Sequence, residues 1–171
     1  MENIKNNKFM IIDEEDVFLK PLEDEDITIF EVWLEKEYIK KWFGDKNEWL
    51  EEIYSRKDKN NPEPIKHFIL YHKGKKIGFC QYFDGYFARN FYVDIMYRNY
   101  AYEVNFFIGE EEYLNKGLGK IMLKILEEKI KEIGGRELLS DPDPENELSQ
   151  KLLLSSGFTK IKDGDYRKKI K

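Results

Sequence analysis

Gly117 and Gly119 sit within Leu114-Asn115-Lys116-Gly117-Leu118-Gly119-Lys120, where the hydrophobic pattern of the chain changes period. The first turn of a helix carries unpaired N–H groups and the positive end of the peptide dipole, and glycines let a diphosphate come close to that backbone. Lys116 and Lys120 add cationic charge. The chemistry implied is anion capture, in neither the Gly-x-x-x-x-Gly-Lys-[Ser/Thr] order of a P-loop nor the Gly-x-Gly-x-x-Gly order of a dinucleotide site. Glycines before a helix serve plain turns as often as phosphates, so the loop alone leaves both roles open. Cys80 is the only cysteine, which rules out an intrachain disulfide and suits a reducing compartment. His67 and His72 share no metal-ligand spacing with it, and no metal is expected.

Two elements must hold this loop. Tyr102, Val104, Phe106 and Ile108 alternate with Glu103, Asn105 and Phe107, predicting a strand with two unlike faces. From Leu118, Ile121, Met122, Ile125 and Ile130 recur at helical spacing while Leu123 and Leu126 widen the stripe, predicting a helix buried along much of its girth.

Upstream, Met10 to Ile12 and Val17 to Leu22 are apolar runs around Asp13-Glu14-Glu15-Asp16, either a hairpin or one strand with an irregular lead-in. Glu23 to Asp26 favour the start of an amphipathic helix carrying Ile29, Phe30, Trp33 and Leu34. After Ile39 to Asp45, Trp49 begins another helix with Leu50 and Ile53, and Lys57 to Pro64 reads as a surface loop or lid. His67 to Tyr71 and Lys76 to Phe83 are strands across a Lys73-Gly74-Lys75 turn, and Asp84 to Tyr102 is a strand extension followed by an irregular aromatic loop. Glu137 to Ser140 is a further strand. Leu148, Leu152 and Leu153 mark a short helix that stops near Gly157, and Phe158 to Ile161 pairs with Tyr166 to Ile170 across Asp163-Gly164-Asp165.

The strand, loop and helix together resemble the acetyl-CoA motif of the GNAT acetyltransferases, in which a [Gln/Arg]-x-x-Gly-x-[Gly/Ala] loop joins such elements. Gly117 and Gly119 fill the glycine positions; Leu114 stands where the family has Gln or Arg. Phe107-Ile108-Gly109-Glu110 with Tyr113-Leu114 is similar to a run in the aminoglycoside 6'-N-acetyltransferases, as Gly78-Phe79-Cys80-Gln81-Tyr82 is to one of their strands. Asp141-Pro142, Asn146 and Gly157-Phe158 resemble their later Asp-Pro, Asn and Gly-Phe stretch. The resemblance implies a mixed α/β (α+β) fold in one domain spanning residues 1–171, with a central, mostly antiparallel twisted sheet of about six or seven strands flanked by about four helices.

It also implies an activity: direct transfer of acetyl from acetyl-CoA to an amino group of a small cationic acceptor, with an aminoglycoside among the candidates. Phe107, Ile108, Leu114, Asn115, Lys116, Gly117, Leu118, Gly119, Lys120 and Asn146 would then hold the cofactor, and Trp42, Gln81, Asp84, Asp94 and Asp141 the acceptor. Trp42 read singly is equally ordinary packing, Gln81 an edge hydrogen bond, and Asn146 a helix cap. Two positions depart from the aminoglycoside pattern. Asn105 falls where those enzymes have an Asp base, and an amide cannot take a proton. Glu103, on the same face two residues earlier, is the alternative base, its plain reading being a solvent-facing strand carboxylate. Leu153 falls where many relatives have a tyrosine proton donor, which leaves Tyr113, Tyr82 or solvent. These losses keep open two further readings: a catalytically weak acyl-CoA sensor, and an acetyltransferase for a hydroxylamine or a protein N-terminus.

Composition sets the outer bounds. The chain has 171 residues without a composition shift, 37% charged and 15% aromatic, which describes one sizeable core under a charged surface. A net charge of −5 argues against nucleic acid and allows a cationic ligand. The N-terminal run has no signal-peptide pattern and no stretch approaches a membrane span, so the expectation is a cytoplasmic monomer or homodimer without a membrane partner.

Overall fold

The computed structural model describes residues 10–61, 65–88, 92–161 and 164–171. The end of the expected surface loop (62–64), part of the aromatic stretch (89–91) and Asp163 of the terminal turn lie outside these residues.

Seven strands form one sheet: β1 Val17–Pro21, β2 Lys66–His72, β3 Lys75–Asp84, β4 Ala101–Ile108, β5 Glu137–Ser140, β6 Thr159–Lys160 and β7 Tyr166–Lys169. Their order is β1-β2-β3-β4-β5-β7-β6, antiparallel throughout except for β4 beside β5. The first strand has an irregular lead-in, a 3-10 turn over Glu14–Asp16, and pairs with β2. At the β2–β3 turn both Lys73 (φ 48°) and Gly74 (φ 77°) are left-handed, the hairpin geometry that glycine relieves.

Among the described residues five α-helices flank the sheet: α1 Ile27–Leu34, α2 Glu37–Phe43, α3 Lys46–Ser55, α4 Leu118–Glu132 and α5 Glu147–Ser155. The one not expected is α2. Its C-terminus falls at Gly44 (φ 69°), after which the Asp45 side chain accepts from Asn47 N–H and caps α3.

Period-two alternation in β4 divides the core. Tyr102 and Val104 pack with Met122, Leu126 and Ile130 of α4 and Leu153 of α5. Phe107 points the other way, against Phe30 and Trp33 of α1, Ile39 of α2 and Ile53 of α3. Each such side chain, if fully removed from water, contributes about 1.5–3 kcal/mol. Among the described residues no helix is long and apolar enough to cross a membrane.

Gly109 closes the far end of β4. A Cβ there would lie 2.3 Å from the ring of Trp33, which is fully buried and donates its Nε1–H to Glu110 Oε1 at 2.8 Å. Gly109→Ala is therefore expected to destabilise the protein by about 1–3 kcal/mol, measured by urea denaturation, because neither the indole nor the strand end has room to move.

Candidate active site

The site begins where two parallel strands part. Pairing between β4 and β5 runs only from Ala101↔Glu137 to Glu103↔Leu139. β5 cannot continue, since Ser140 leads into Asp141-Pro142-Asp143-Pro144 and proline offers no ladder N–H. The Val104 carbonyl still meets Ser140 Oγ, at 3.5 Å. Backbone groups alternate edges along a strand, so Phe106 and Ile108 turn their N–H groups toward the gap that β5 has left.

That gap opens into a cavity of about 320 Å³ walled by α2, the end of β4, the Leu114 to Gly119 loop and the first turns of α5. Of the residues expected to hold a cofactor, all but Lys120 line it, and Lys120 stands exposed on α4. Gly117 is the N-cap of α4 in the left-handed region (φ 79°), and a Cβ there would meet nothing within 4 Å. Its carbonyl accepts from Lys120 and Ile121 N–H. No backbone carbonyl among the described residues accepts from Gly117, Leu118 or Gly119 N–H, so these amides face the cavity mouth as free donors. Gly119 has a packing reason as well: a Cβ would come within 2.6 Å of Leu152 Cδ2, where α4 crosses α5. Asn146 caps α5 by accepting from Ser149 N–H at 3.1 Å and also lines the cavity.

The sequence placed Trp42 at the acceptor but assigned no helix to the segment that forms the α2 wall and did not single out Tyr38, Ile39 or Phe43. Tyr38, Ile39, Trp42 and Phe43 all line the cavity, and their i, i+1, i+4, i+5 spacing was the available signal of one helix face. The Tyr38 hydroxyl donates to Gly109 O at 2.8 Å, and Lys36 Nζ donates to the same oxygen at 2.7 Å. Burial, then Glu111 and Glu110, push the Tyr38 phenol up to about 12, so it stays a donor. Trp42 stands on this wall, in the same cavity as the glycine loop.

The ionisable groups lie further back along β4, on the face that Phe107 shares. Gln81 Nε2 donates to Asn105 Oδ1 at 3.1 Å, and Asn105 Nδ2 donates to Glu103 Oε1 at 3.2 Å, a chain that ends on the carboxylate. Burial pushes Glu103 up to about 6; the Tyr92 hydroxyl and the Asn105 amide oppose this, and Asp141 and Asp165 reinforce it. Asp141 is also raised, by partial burial and then by Asp165. Tyr92 and Asp165 also influence Glu103, though in the sequence Tyr92 has no motif and Asp165 only a place in the terminal turn.

Two expected acceptor carboxylates are engaged elsewhere. Asp94 is gripped at both oxygens by Arg167, at 2.5 and 2.8 Å, which holds it below the usual carboxylate range. Asp84 accepts from the backbone N–H groups of Tyr86 (3.0 Å) and Asn99 (2.7 Å), fixing a turn, and lines a separate cavity of about 580 Å³ with Tyr82 and Tyr102. Of the possible proton donors, Tyr82 lies with that second cavity, while Tyr113 lines the first and its hydroxyl is 3.2 Å from His72 Nδ1. Leu153 is fully buried. Among the described residues no group of three or more His, Cys, Asp or Glu is placed to hold a metal ion.

Residues 23–166 match the acetyltransferase (GNAT) domain family. The chain belongs to it. The GNAT fold is shared with the aminoglycoside acetyltransferase AAC(6')-Ib, solved with paromomycin and acetyl-CoA: TM-score 0.72, 18% identity, 90% of this chain and 93% of that one. It is shared also with the aminoglycoside N(6')-acetyltransferase of Legionella pneumophila, at TM-score 0.70 and 15% identity over 96% of each chain. A third likeness is to the spermidine N-acetyltransferase of Vibrio cholerae, solved with CoA and spermine: TM-score 0.70, 15% identity, 91% of this chain and 96% of that one. The parted strands, the glycine loop and the ionisable groups of β4 thus all lie within the span matched by the GNAT domain.

Proposed function

We propose that this GNAT protein is a cytoplasmic N-acetyltransferase that passes acetyl from acetyl-CoA directly to an amino group of a small, multiply cationic acceptor. One observation carries the acceptor class. Glu103 and Asp141 stand beside the parted strands with no ion pair among the described residues, while the neighbouring Asp94 has its own arginine. Negative charge left without a counter-charge draws a cation.

The chain's cavity fits the cofactor. A free strand edge can hydrogen-bond an amide-bearing arm, and left-handed Gly117 before the free amides of α4 suits a diphosphate, with Lys116 and Lys120 adding charge. Phe107, Ile108, Leu114, Asn115, Leu118, Gly119 and Asn146 complete the lining. Acetyl-CoA supplies an acyl thioester; the protein has to position an amine, take its proton and donate to the carbonyl. The amides of Phe106 and Ile108 are the donors at hand. Glu103, titrating at about 6, is ionised at neutral pH and takes the ammonium proton, while Asn105 fixes its orientation and Gln81 fixes Asn105. Asp141, which follows β5, and Trp42, on the α2 wall of the cofactor cavity, are assigned to the acceptor; Asp84 and Asp94 stay outside this reading because their oxygens are already occupied.

The test is steady-state release of CoA thiol with aminoglycosides, polyamines, simple monoamines, a hydroxylamine and an N-terminal peptide as acceptors. Turnover strongest with the multiply charged amines is the expected result. Tight CoA binding without turnover on any of them would replace the enzyme by an acyl-CoA sensor. Asn105→Asp is expected to keep or raise kcat/KM at neutral pH, since a second carboxylate beside Glu103 leaves at least one ionised base; a loss of tenfold or more would show that the amide itself is required.

A further inference from the structure

One buried polar group beside Glu103 has no use in that scheme. Tyr92 is 1% exposed and clusters with Ala101, two residues before Glu103 on the same face of β4, and with Leu139, the β5 partner of Glu103, yet its hydroxyl has no hydrogen-bond partner among the described residues. The ring is held in place. It packs on Ile95, Ala101 and Leu139, its N–H donates to Ala88 O at 3.0 Å, and its carbonyl accepts from Ile95 N–H at 3.1 Å. Across its face lies the Arg167 guanidinium, 5.9 Å from the centroid and itself clamped by Asp94. This gives Asp94 a physical role: it fixes the arginine that backs the tyrosine.

The groups around Glu103 come from every neighbouring element: Asn105 on β4 with Gln81 behind it on β3, Tyr92 from the loop before β4, Asp141 after β5, and Asp165 and Arg167 at β7. Arg167 is committed to Asp94 and Asp165, at 2.5 and 3.6 Å. Among the described residues, that leaves Asn105 and Tyr92 as the donors available to the carboxylate. Burial, then Glu103 itself, raises the phenol well above its ordinary range, so the O–H is retained at any working pH.

We propose that Tyr92 is a positioning residue that donates its O–H to ionised Glu103, forming with Asn105 a two-sided clamp that holds the carboxylate charged and turns its remaining lone pairs toward the acceptor. The clamp rests on the proposed role of Glu103 as base, but it can be measured without turnover. Side-chain carboxyl 13C shifts of glutamate are titrated in the free protein, and the Glu103 resonance is assigned by its loss in Glu103→Gln. Removing one donor to a charged acceptor in Tyr92→Phe is expected to raise the Glu103 titration by about one pH unit. Site-specific 3-fluorotyrosine at position 92, a stronger donor, is expected to lower it.

The acidic limb of kcat/KM should move with the titration, so that Tyr92→Phe loses about fivefold at pH 6, approaching tenfold below it, and little at pH 8.5. A structural role alone would lower the rate equally at all pH values. An unmoved Glu103 titration in both variants overturns the clamp. An acidic limb that survives Glu103→Gln overturns the base assignment instead, and the two failures are distinguishable.

Discussion

Gly117→Asp is expected to lower the affinity for coenzyme A on the order of 100-fold, about 2.7 kcal/mol, while leaving the protein folded. The backbone at this N-cap is left-handed (φ 79°), a region that Asp and Asn tolerate better than other non-glycine residues, and a Cβ would meet nothing within 4 Å. The conformational cost is then about 1–2 kcal/mol of stability. The effect on binding comes from the carboxylate. It stands at the mouth of α4, where it competes for the free N–H groups of Leu118 and Gly119 and repels an incoming diphosphate. Gly117→Asn separates shape from charge: it should melt like Gly117→Asp and lose only a few-fold in affinity. Isothermal titration calorimetry at low salt reads both. Undiminished binding in Gly117→Asp would remove this loop from the cofactor site.

The Gly117 loop was legible because its signals are local. Period two in Tyr102 to Ile108 gives way within ten residues to helical spacing, and the two glycines mark the change. The same holds for the turn at Lys73 and Gly74. The α2 wall was less legible, since seven residues make barely two turns, too few to establish a helical period. Sorting the acceptor carboxylates needed facts that no local pattern carries. Asp94 and Asp141 look alike in sequence, but the arginine that occupies Asp94 lies 73 residues away. Asp84 spends its oxygens on backbone amides of a turn whose closure by Asn99 is set by tertiary structure. Tyr92 has no motif at all; it matters only because the register of β4 and β5 brings Glu103 beside Leu139, and Tyr92 packs on Leu139.

Glu103→Gln is expected to lower kcat/KM by about 10²–10⁴ at neutral pH and to remove the acidic limb near pH 6, because an amide of the same shape accepts no proton. The same substitution should make the protein more stable. Burial lifts this carboxyl from the usual 4.5 to about 6, so it is harder to ionise folded than unfolded. Below pH 4.5 both states hold the proton and no penalty arises. As the pH rises through 6 the unfolded state is favoured, until the penalty levels off at about 2 kcal/mol. Removing the charge removes that penalty. Glu103→Gln should therefore melt a few degrees above the native protein at pH 8 and together with it at pH 4. Damage to the site would lower activity and stability together, whereas a base kept in a desolvating place predicts opposite signs, with the stability gain growing between pH 4.5 and 6 and level above that. Equal melting temperatures at pH 8 would mean that Glu103 is better solvated than its place on β4 implies, and its role as a tuned base would fall with that result.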